Sequence, residues 1–180
     1  MGTRNSTGSV RPPVAEIRDA PVEATATVPA QEAHGLATAQ TYVVDTGVFV
    51  RWFLAQDGYE HAREIQKRFV LDEITLVTTD IARIELAHVL RTKGCVPGLL
   101  DRNSYVKAVR TIDDLGVEIR PTDAETLERA ADWAVQLSLR FFDALFVDLA
   151  VQTGCPLLTS DIRLARAATR YISTEVLRPR

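Results

Sequence analysis

The stretch TYVVDTGVFV, Thr41 to Val50, changes from one local pattern to another at Asp45. The letters YVV before the aspartate form a short β-branched run that is typical of a strand. The letters GVFVRWFLAQ that follow it place apolar residues at the spacing of a helix. Asp45 is therefore predicted to lie where a strand ends and a helix begins.

The same alternation continues along the chain. Short apolar runs predict further strands at ITLVTT, VEIR, PLLT and YISTEVL. Helical spacing of apolar residues occupies the segments between them: Tyr59 to Val70, IARIELAHVLR, Val106 to Ile112, the region after Asp123, FFDALFVDLAVQTG and IRLARAA. Asp80 and Asp123 are predicted N-caps, Gly94 a helix end, and a helix break is expected near Ser138 to Arg140. Strands that alternate with helices predict an α/β fold, with a mainly parallel sheet covered on both faces.

Composition divides the chain into a leading segment and one folded domain. The first 40 residues hold four of the eight prolines and no aromatic residue, so residues 1–40 are predicted to be a disordered extension. Residues 41–180 are long enough to bury one core and make a domain of ordinary size.

Charge and cysteine content narrow the classes of function. The 21 basic and 24 acidic side chains give a net charge of −3, so a nucleic acid would have to be held by a local basic patch or through bound cations. Cys95 and Cys155 lack the spacing of a zinc site or a disulfide framework, and a reducing cytoplasm is expected. No segment reaches the roughly 18 apolar residues of a membrane helix, so no membrane association is expected.

Four acidic residues occupy places where a site can form. Asp45 follows the strand YVV, and Asp161 comes two residues after PLLT, so both are predicted at the carboxyl ends of strands, where open parallel sheets bind ligands. Glu85 and Asp143 each lie among apolar residues of a predicted helix. Each acid also has an ordinary structural interpretation, because an aspartate after a strand commonly caps the next helix and an acid on a helix commonly borders the core.

Convergence of the four acids would require a counter-charge. Two carboxylates about 4 Å apart repel by ~4 kcal/mol at an effective dielectric constant of 20. A divalent cation removes the repulsion, and all-oxygen ligands select Mg²⁺ or Mn²⁺ over zinc. Such an ion can activate water and stabilise a leaving oxygen, which suits phosphodiester hydrolysis.

The tripeptide Asp-Thr-Gly at residues 45–47 is also found in other catalysts. An aspartic protease needs two such loops facing each other in a β-rich fold, whereas here a single copy runs straight into a predicted helix. A phosphoacceptor domain would need an early pair of acids and a lysine after a late strand, and the sequence has neither. A metal ligand is the favoured interpretation of Asp45.

Three stretches, in order, carry a family resemblance: YVVDTGVFVRWF, IARIELAHVLR and FFDALFVDLAVQTGCPLLTSDIRL. Together they resemble the PIN-domain ribonucleases, most closely the VapC-type toxins of toxin–antitoxin pairs, over Thr41 to Leu177. The resemblance implies a three-layer PIN-like fold, with a central mainly parallel sheet flanked by helices. It further implies a Mg²⁺- or Mn²⁺-dependent endoribonuclease that cuts single-stranded RNA, forms a homodimer and is inhibited by a cognate antitoxin.

Carried over by position, the resemblance assigns the catalytic and metal-binding acids as Asp45, Glu85, Asp143 and Asp161, with Thr159 and His88 as supporting residues. The first three acids would hold the ion, and the fourth would complete the site directly or through water. His88 stands where the family commonly has asparagine, and a hydrogen-bonded histidine that lines the cleft is favoured over a ligand role. Asp148 is left out, because five positions beyond Asp143 it points about 140° away on a helix.

Arginines near the motifs are candidates for phosphate contacts or ordinary exposed residues: Arg51, Arg83, Arg140 and Arg163.

The alternative to an enzyme is a PIN-like module that binds RNA or protein without cutting it, although all four acids are present.

Overall fold

Within residues 39–178, five parallel strands form the centre of the fold, in the order β3-β2-β1-β4-β5. They are β1 (Gln40–Val44), β2 (Ile74–Thr79), β3 (Glu118–Arg120), β4 (Leu157–Thr159) and β5 (Thr174–Val176). Every neighbouring pair among these strands is parallel, with Val43 opposite both Val77 and Leu157. The predicted parallel sheet is confirmed.

The helices that flank the sheet are α1 (Thr46–Val50), α2 (Tyr59–Val70), α3 (Ile81–Val89), α4 (Arg102–Ala108), α5 (Thr111–Asp114), α6 (Ala124–Leu137), α7 (Phe141–Thr153) and α8 (Ile162–Ala168). Val43 and Val44 are neighbours on β1 and are both fully buried. Since successive side chains of a strand point to opposite faces, both faces of the central strand are covered. The predicted three-layer α/β fold is therefore confirmed.

This computed structural model describes residues 39–178, which belong to one compact unit, Ala37–Arg180. The disordered extension predicted for residues 1–40 lies, apart from its last two residues, outside the described residues. Within residues 39–178, none of the helices combines the length and the hydrophobicity that a membrane crossing requires. Cys95 and Cys155 are free thiols.

Several local predictions are confirmed. Helices α2 and α8 have the predicted bounds, and Asp123 caps α6 by accepting the backbone N–H of Thr126 at 2.8 Å. The break between α6 and α7 lies at Ser138, whose φ of 52° is in the left-handed region. That break redirects the chain so that α7 packs against β1, β2 and β4.

Tertiary contacts alter two local predictions. Asp80 occupies the predicted N-cap position of α3, but its carboxylate accepts hydrogen bonds from the backbone N–H and hydroxyl of Thr122 and none from the helix. Gly94 does not end the helix, because α3 continues into a π-helical segment, Leu90–Cys95. A Cβ at Gly94 would lie 2.6 Å from Leu100 Cδ1, so the glycine permits close packing there.

Candidate metal centre

A cavity of about 470 Å³ lies at the carboxyl edge of the sheet. Four acids line it: Asp45, Glu85, Asp143 and Asp161. The cavity wall also contains basic side chains, at Arg51, Lys93, Arg140 and Arg163. The four acids that were predicted from the sequence to form a cluster thus line one cavity, although up to 116 positions separate them along the chain.

The sheet order explains why the two aspartates meet. Asp45 directly follows β1 and Asp161 comes shortly after β4, and these strands are neighbours with Val44 opposite Leu158. β1 has β2 on its other side, so the chain order reverses at the β1–β4 boundary. This is the switch point at which open α/β sheets place their ligand crevice.

Asp45 is held on both oxygens and is 6% exposed. Its Oδ1 accepts the backbone N–H of Gly47, so Asp45 caps α1, and its Oδ2 accepts the hydroxyl of Thr159. Burial raises the pKa of Asp45 from 3.8 to about 6, against the lowering effect of those two hydrogen bonds, and the charge of Asp143 adds to the rise. Asp45 therefore caps α1 and lines the cavity at the same time.

The two residues after Asp45 also contribute to the site. The hydroxyl of Thr46 donates to Glu85 Oε2 at 2.6 Å and so links α1 to α3. A Cβ at Gly47 would lie 2.3 Å from Ser160 Oγ and 2.9 Å from Asp45 Oδ1. Only glycine allows the loop after β4 to approach this closely. Neither the role of Thr46 nor that of Gly47 was predicted from the sequence, although the tripeptide Asp-Thr-Gly was recognised as a possible catalytic motif.

Glu85 projects from α3 into the cavity and is partly buried. Burial raises its pKa; the hydrogen bond from Thr46 opposes the rise and the charge of Asp143 supports it. Val89 and Lys93, four and eight positions further on, line the cavity with Glu85. His88 is exposed and is not among the residues that line this cavity within the described chain, because the helix presents the i+4 side here and not the i+3 side.

Asp143 and Asp161 are held by different partners. Asp143 is 8% exposed, and Arg140 contacts both of its carboxylate oxygens, at 2.8 and 2.9 Å. Asp161 caps α8 by accepting the N–H groups of Arg163 at 2.8 Å and Leu164 at 3.2 Å. The hydroxyl of Thr159 donates to Asp45 and accepts the N–H of Asp161 at 2.9 Å, so it joins the two aspartates.

The remaining candidates divide into two groups. Arg51 lines the cavity, and the backbone carbonyls of Gly47 and Asp57 hold its guanidinium at 2.9 and 2.6 Å. Arg83 instead pairs with Asp113 at 3.0 Å and lies outside the cavity wall. Asp148 is 1% exposed and pairs with Arg129 at 2.9 Å, which agrees with its exclusion from the site.

A family model described as the PIN domain matches residues 42–170. The chain belongs to the PIN domain family. The match spans β1 to the end of α8 and includes all four cavity acids.

Solved structures share this PIN fold at low sequence identity. The protein PAE2754 of Pyrobaculum aerophilum is 20% identical with a TM-score of 0.57, over 81% of this chain and 92% of that one. VapC20 of Mycobacterium tuberculosis, described as a sarcin-ricin loop cleaving toxin, is 18% identical with a TM-score of 0.58, over 70% and 94%. VapBC2 of Rickettsia felis, bound to a promoter DNA fragment, is 14% identical with a TM-score of 0.55, over 76% and 98%. None of the curated proteins compared matches the chain.

The donor set of this PIN domain fits a hard divalent ion. The cavity acids offer carboxylate oxygens, which Mg²⁺ and Mn²⁺ prefer, and a carboxylate oxygen with one hydrogen bond keeps a lone pair. Within residues 39–178, however, no three His, Cys, Asp or Glu side chains stand close enough together to form a ready ligand cluster. Arginine side chains lie between the acids instead.

Proposed function

We propose that this PIN domain is a Mg²⁺- or Mn²⁺-dependent endoribonuclease that cuts single-stranded RNA, as the toxin of a type II toxin–antitoxin pair. The observation that carries the proposal is the convergence of Asp45, Glu85, Asp143 and Asp161 on one cavity at the switch point of the sheet. The structural likeness to VapC20, described as a sarcin-ricin loop cleaving toxin, supports a cleaving toxin. RNA as the substrate class is taken from the resemblance to the PIN-domain ribonucleases.

In this proposal Asp45, Glu85 and Asp143 hold the ion, and Asp161 completes the site directly or through a water. When held there, the ion would supply Lewis-acid activation of a water and stabilisation of charge on the phosphodiester. One of the acids accepts the proton of the attacking water. Thr159 keeps the two strand-end aspartates in place.

The basic side chains of the cavity are proposed to hold the RNA backbone. Arg51 is already oriented by two backbone carbonyls, so little side-chain entropy is lost when it contacts a phosphate. Lys93 and Arg163 also line the cavity. A local patch of this kind is what a chain with a net charge of −3 needs in order to bind RNA.

Protein partners also belong to the proposal. The solved structures with this fold include VapBC2 of Rickettsia felis, bound to a DNA fragment from their promoter. From the resemblance to VapC-type toxins we propose a cognate antitoxin that covers the cavity, a homodimer of this chain, and a cytoplasmic location in keeping with two free thiols.

Cleavage of a labelled single-stranded RNA pool tests the activity, with the purified protein freed of any bound partner. Cleavage is expected with Mn²⁺, and EDTA is expected to abolish it. Asp45→Asn should lower the rate at least ~100-fold, as losses of catalytic groups do, whereas the exposed Asp132→Asn on α6 should cut like the parent. An Asp45→Asn protein as active as the parent would refute the nuclease assignment.

The same experiment separates the runner-up function. A PIN-like module that only binds RNA or protein would show no cleavage of the pool, even with Mn²⁺. It would still retain RNA in a binding assay without a metal requirement.

A further inference from the structure

Two arginines fill the space between the cavity acids. Arg140 Nε donates to Asp143 Oδ2 at 2.8 Å and Arg140 Nη2 donates to Asp143 Oδ1 at 2.9 Å. Arg163 Nη2 lies 3.6 Å from the same Oδ2, and Arg140 Nη2 lies 3.8 Å from Asp161 Oδ2. A fork on both oxygens is the strong form of an Arg–carboxylate pair.

The backbone explains how Arg140 reaches the acids from the rim. It occupies the N-cap position of α7, in an extended conformation with φ −66° and ψ 148°, three residues before Asp143. Its side chain is 68% exposed, whereas the side chain of Asp143 is 11% exposed. The guanidinium therefore covers Asp143 from the solvent side.

This arrangement affects the ion that the proposed function requires. A cation at Asp143 would have to share both carboxylate oxygens with a positive guanidinium, in a cavity whose other acids are partly or fully buried. Like charges this close repel strongly in a partly desolvated site. Arg140 can move away without disturbing the core, because its side chain is largely in solvent, but the ion must then replace both of its hydrogen bonds to Asp143.

We propose that Arg140 competes with the divalent ion for Asp143: its guanidinium neutralises the acids while the ion is absent, and it leaves Asp143 when the ion binds. The inference rests on the proposed function, since it takes the cavity acids as the metal ligands. Arg140 thereby lowers the affinity of the centre for Mg²⁺ and Mn²⁺. Arg163, at the longer distance of 3.6 Å, is the weaker competitor.

The competing explanation is that Arg140 only orients Asp143 for the ion. It predicts the opposite sign, because loss of an orienting partner weakens ligation. Metal affinity therefore decides between the two roles, whereas cleavage activity alone would not. The proton affinity of an aspartate offers a scale for the effect: a neighbouring guanidinium lowers it by about tenfold to a thousandfold.

The test is calorimetric titration of Mn²⁺ into the parent, Arg140→Ala, Arg163→Ala and the control Arg166→Ala, an exposed arginine of α8 outside the cavity wall. Arg140→Ala is expected to bind Mn²⁺ about tenfold more tightly or better, Arg163→Ala by a smaller factor, and Arg166→Ala like the parent. Should the alanine variant not fold, Arg140→Gln keeps most of the aliphatic stem and repeats the measurement.

Thermal unfolding provides a second readout. Without its neutralising partner the acid cluster destabilises the apo protein, so Arg140→Ala should melt lower than the parent in EDTA and gain more from added Mn²⁺. Equal or weaker Mn²⁺ binding by Arg140→Ala overturns the competition. If the parent binds no Mn²⁺ but Arg140→Ala does, the competition is supported; if neither binds, both the competition and the proposed metal dependence fail.

Discussion

Asp45→Asn should make the metal-free protein more stable at neutral pH while it lowers the proposed activity. The folded protein raises the pKa of Asp45 from 3.8 to about 6, mainly through burial, so the ionised carboxylate is unfavourable in the folded state. The rise corresponds to about 3 kcal/mol, at ~1.4 kcal/mol for each factor of ten in proton affinity. Asparagine keeps an acceptor for Gly47 and carries no charge.

The sign of the pH dependence follows from which state binds more protons. Between pH 3.8 and about 6 the folded protein holds the proton of Asp45 and the unfolded chain does not, so stability from this group is lost as pH rises through that window. The difference in unfolding free energy between Asp45→Asn and the parent should therefore grow with pH. This difference should reach a plateau above pH 7. The plateau is reduced by the free energy lost when asparagine replaces the carboxylate that accepts the hydroxyl of Thr159.

Urea unfolding of both proteins in EDTA at several pH values from 4 to 8 measures this difference. Using the difference between two proteins removes the contributions of the other titrating groups, provided they are not coupled to Asp45. Asp132→Asn serves as the exposed control, for which the difference should stay near zero. A gap between Asp45→Asn and the parent that is constant with pH would show that burial does not perturb Asp45 in the folded state.

Three further changes follow from the same geometry. Gly47→Ala should lower the cleavage rate ~100-fold, because a displacement of a catalytic group by about 1 Å costs that much. The double variant with Ser160→Ala should recover part of that rate, since the new Cβ would lie 2.3 Å from Ser160 Oγ. Equal rates for the single and double variants would contradict this explanation. Thr159→Val removes a donor to Asp45, so the pKa of Asp45 should rise further and the acid limb of the cleavage–pH profile should move to higher pH. Ser138→Gly should raise the unfolding free energy by about 0.5–1 kcal/mol in urea titrations, because the residue has a φ of 52°; a loss of stability would contradict that account.

Much of the fold was predictable because its signals are local. The bounds of α2 and α8 follow from apolar spacing, and the positions of Asp45 and Asp161 follow from short buried strands that precede them. The local rules were wrong where distant residues compete for the same group. Asp80 binds Thr122, 42 positions away, in preference to its own helix, and Leu100 packs against Gly94, where a Cβ would lie 2.6 Å from Leu100 Cδ1.

The site divides in the same way. The identity of the four acids could be inferred because strand ends and apolar helical contexts mark them, and the family resemblance agreed. The position of Lys93 in the cavity wall and the outward direction of His88 could not be inferred from the sequence. Both depend on packing, which sets the π-helical segment and the face that α3 turns to the cavity. The two-bond pair between Arg140 and Asp143 was not predicted either, although the three-residue spacing is visible in the sequence. Which cation faces a carboxylate depends on side-chain directions at the start of the helix.

The amino-acid sequence by itself determined the alternation of strands and helices, and with it the parallel sheet and the acids at its carboxyl edge, because those depend on hydrophobic periodicity along the chain. The tertiary structure alone decided how the charges balance: which acid is buried enough to hold its proton near pH 6, and which arginine lies against Asp143. The physical reason is that charge energies depend on distance and desolvation, and both are set by groups that meet only when the chain has folded.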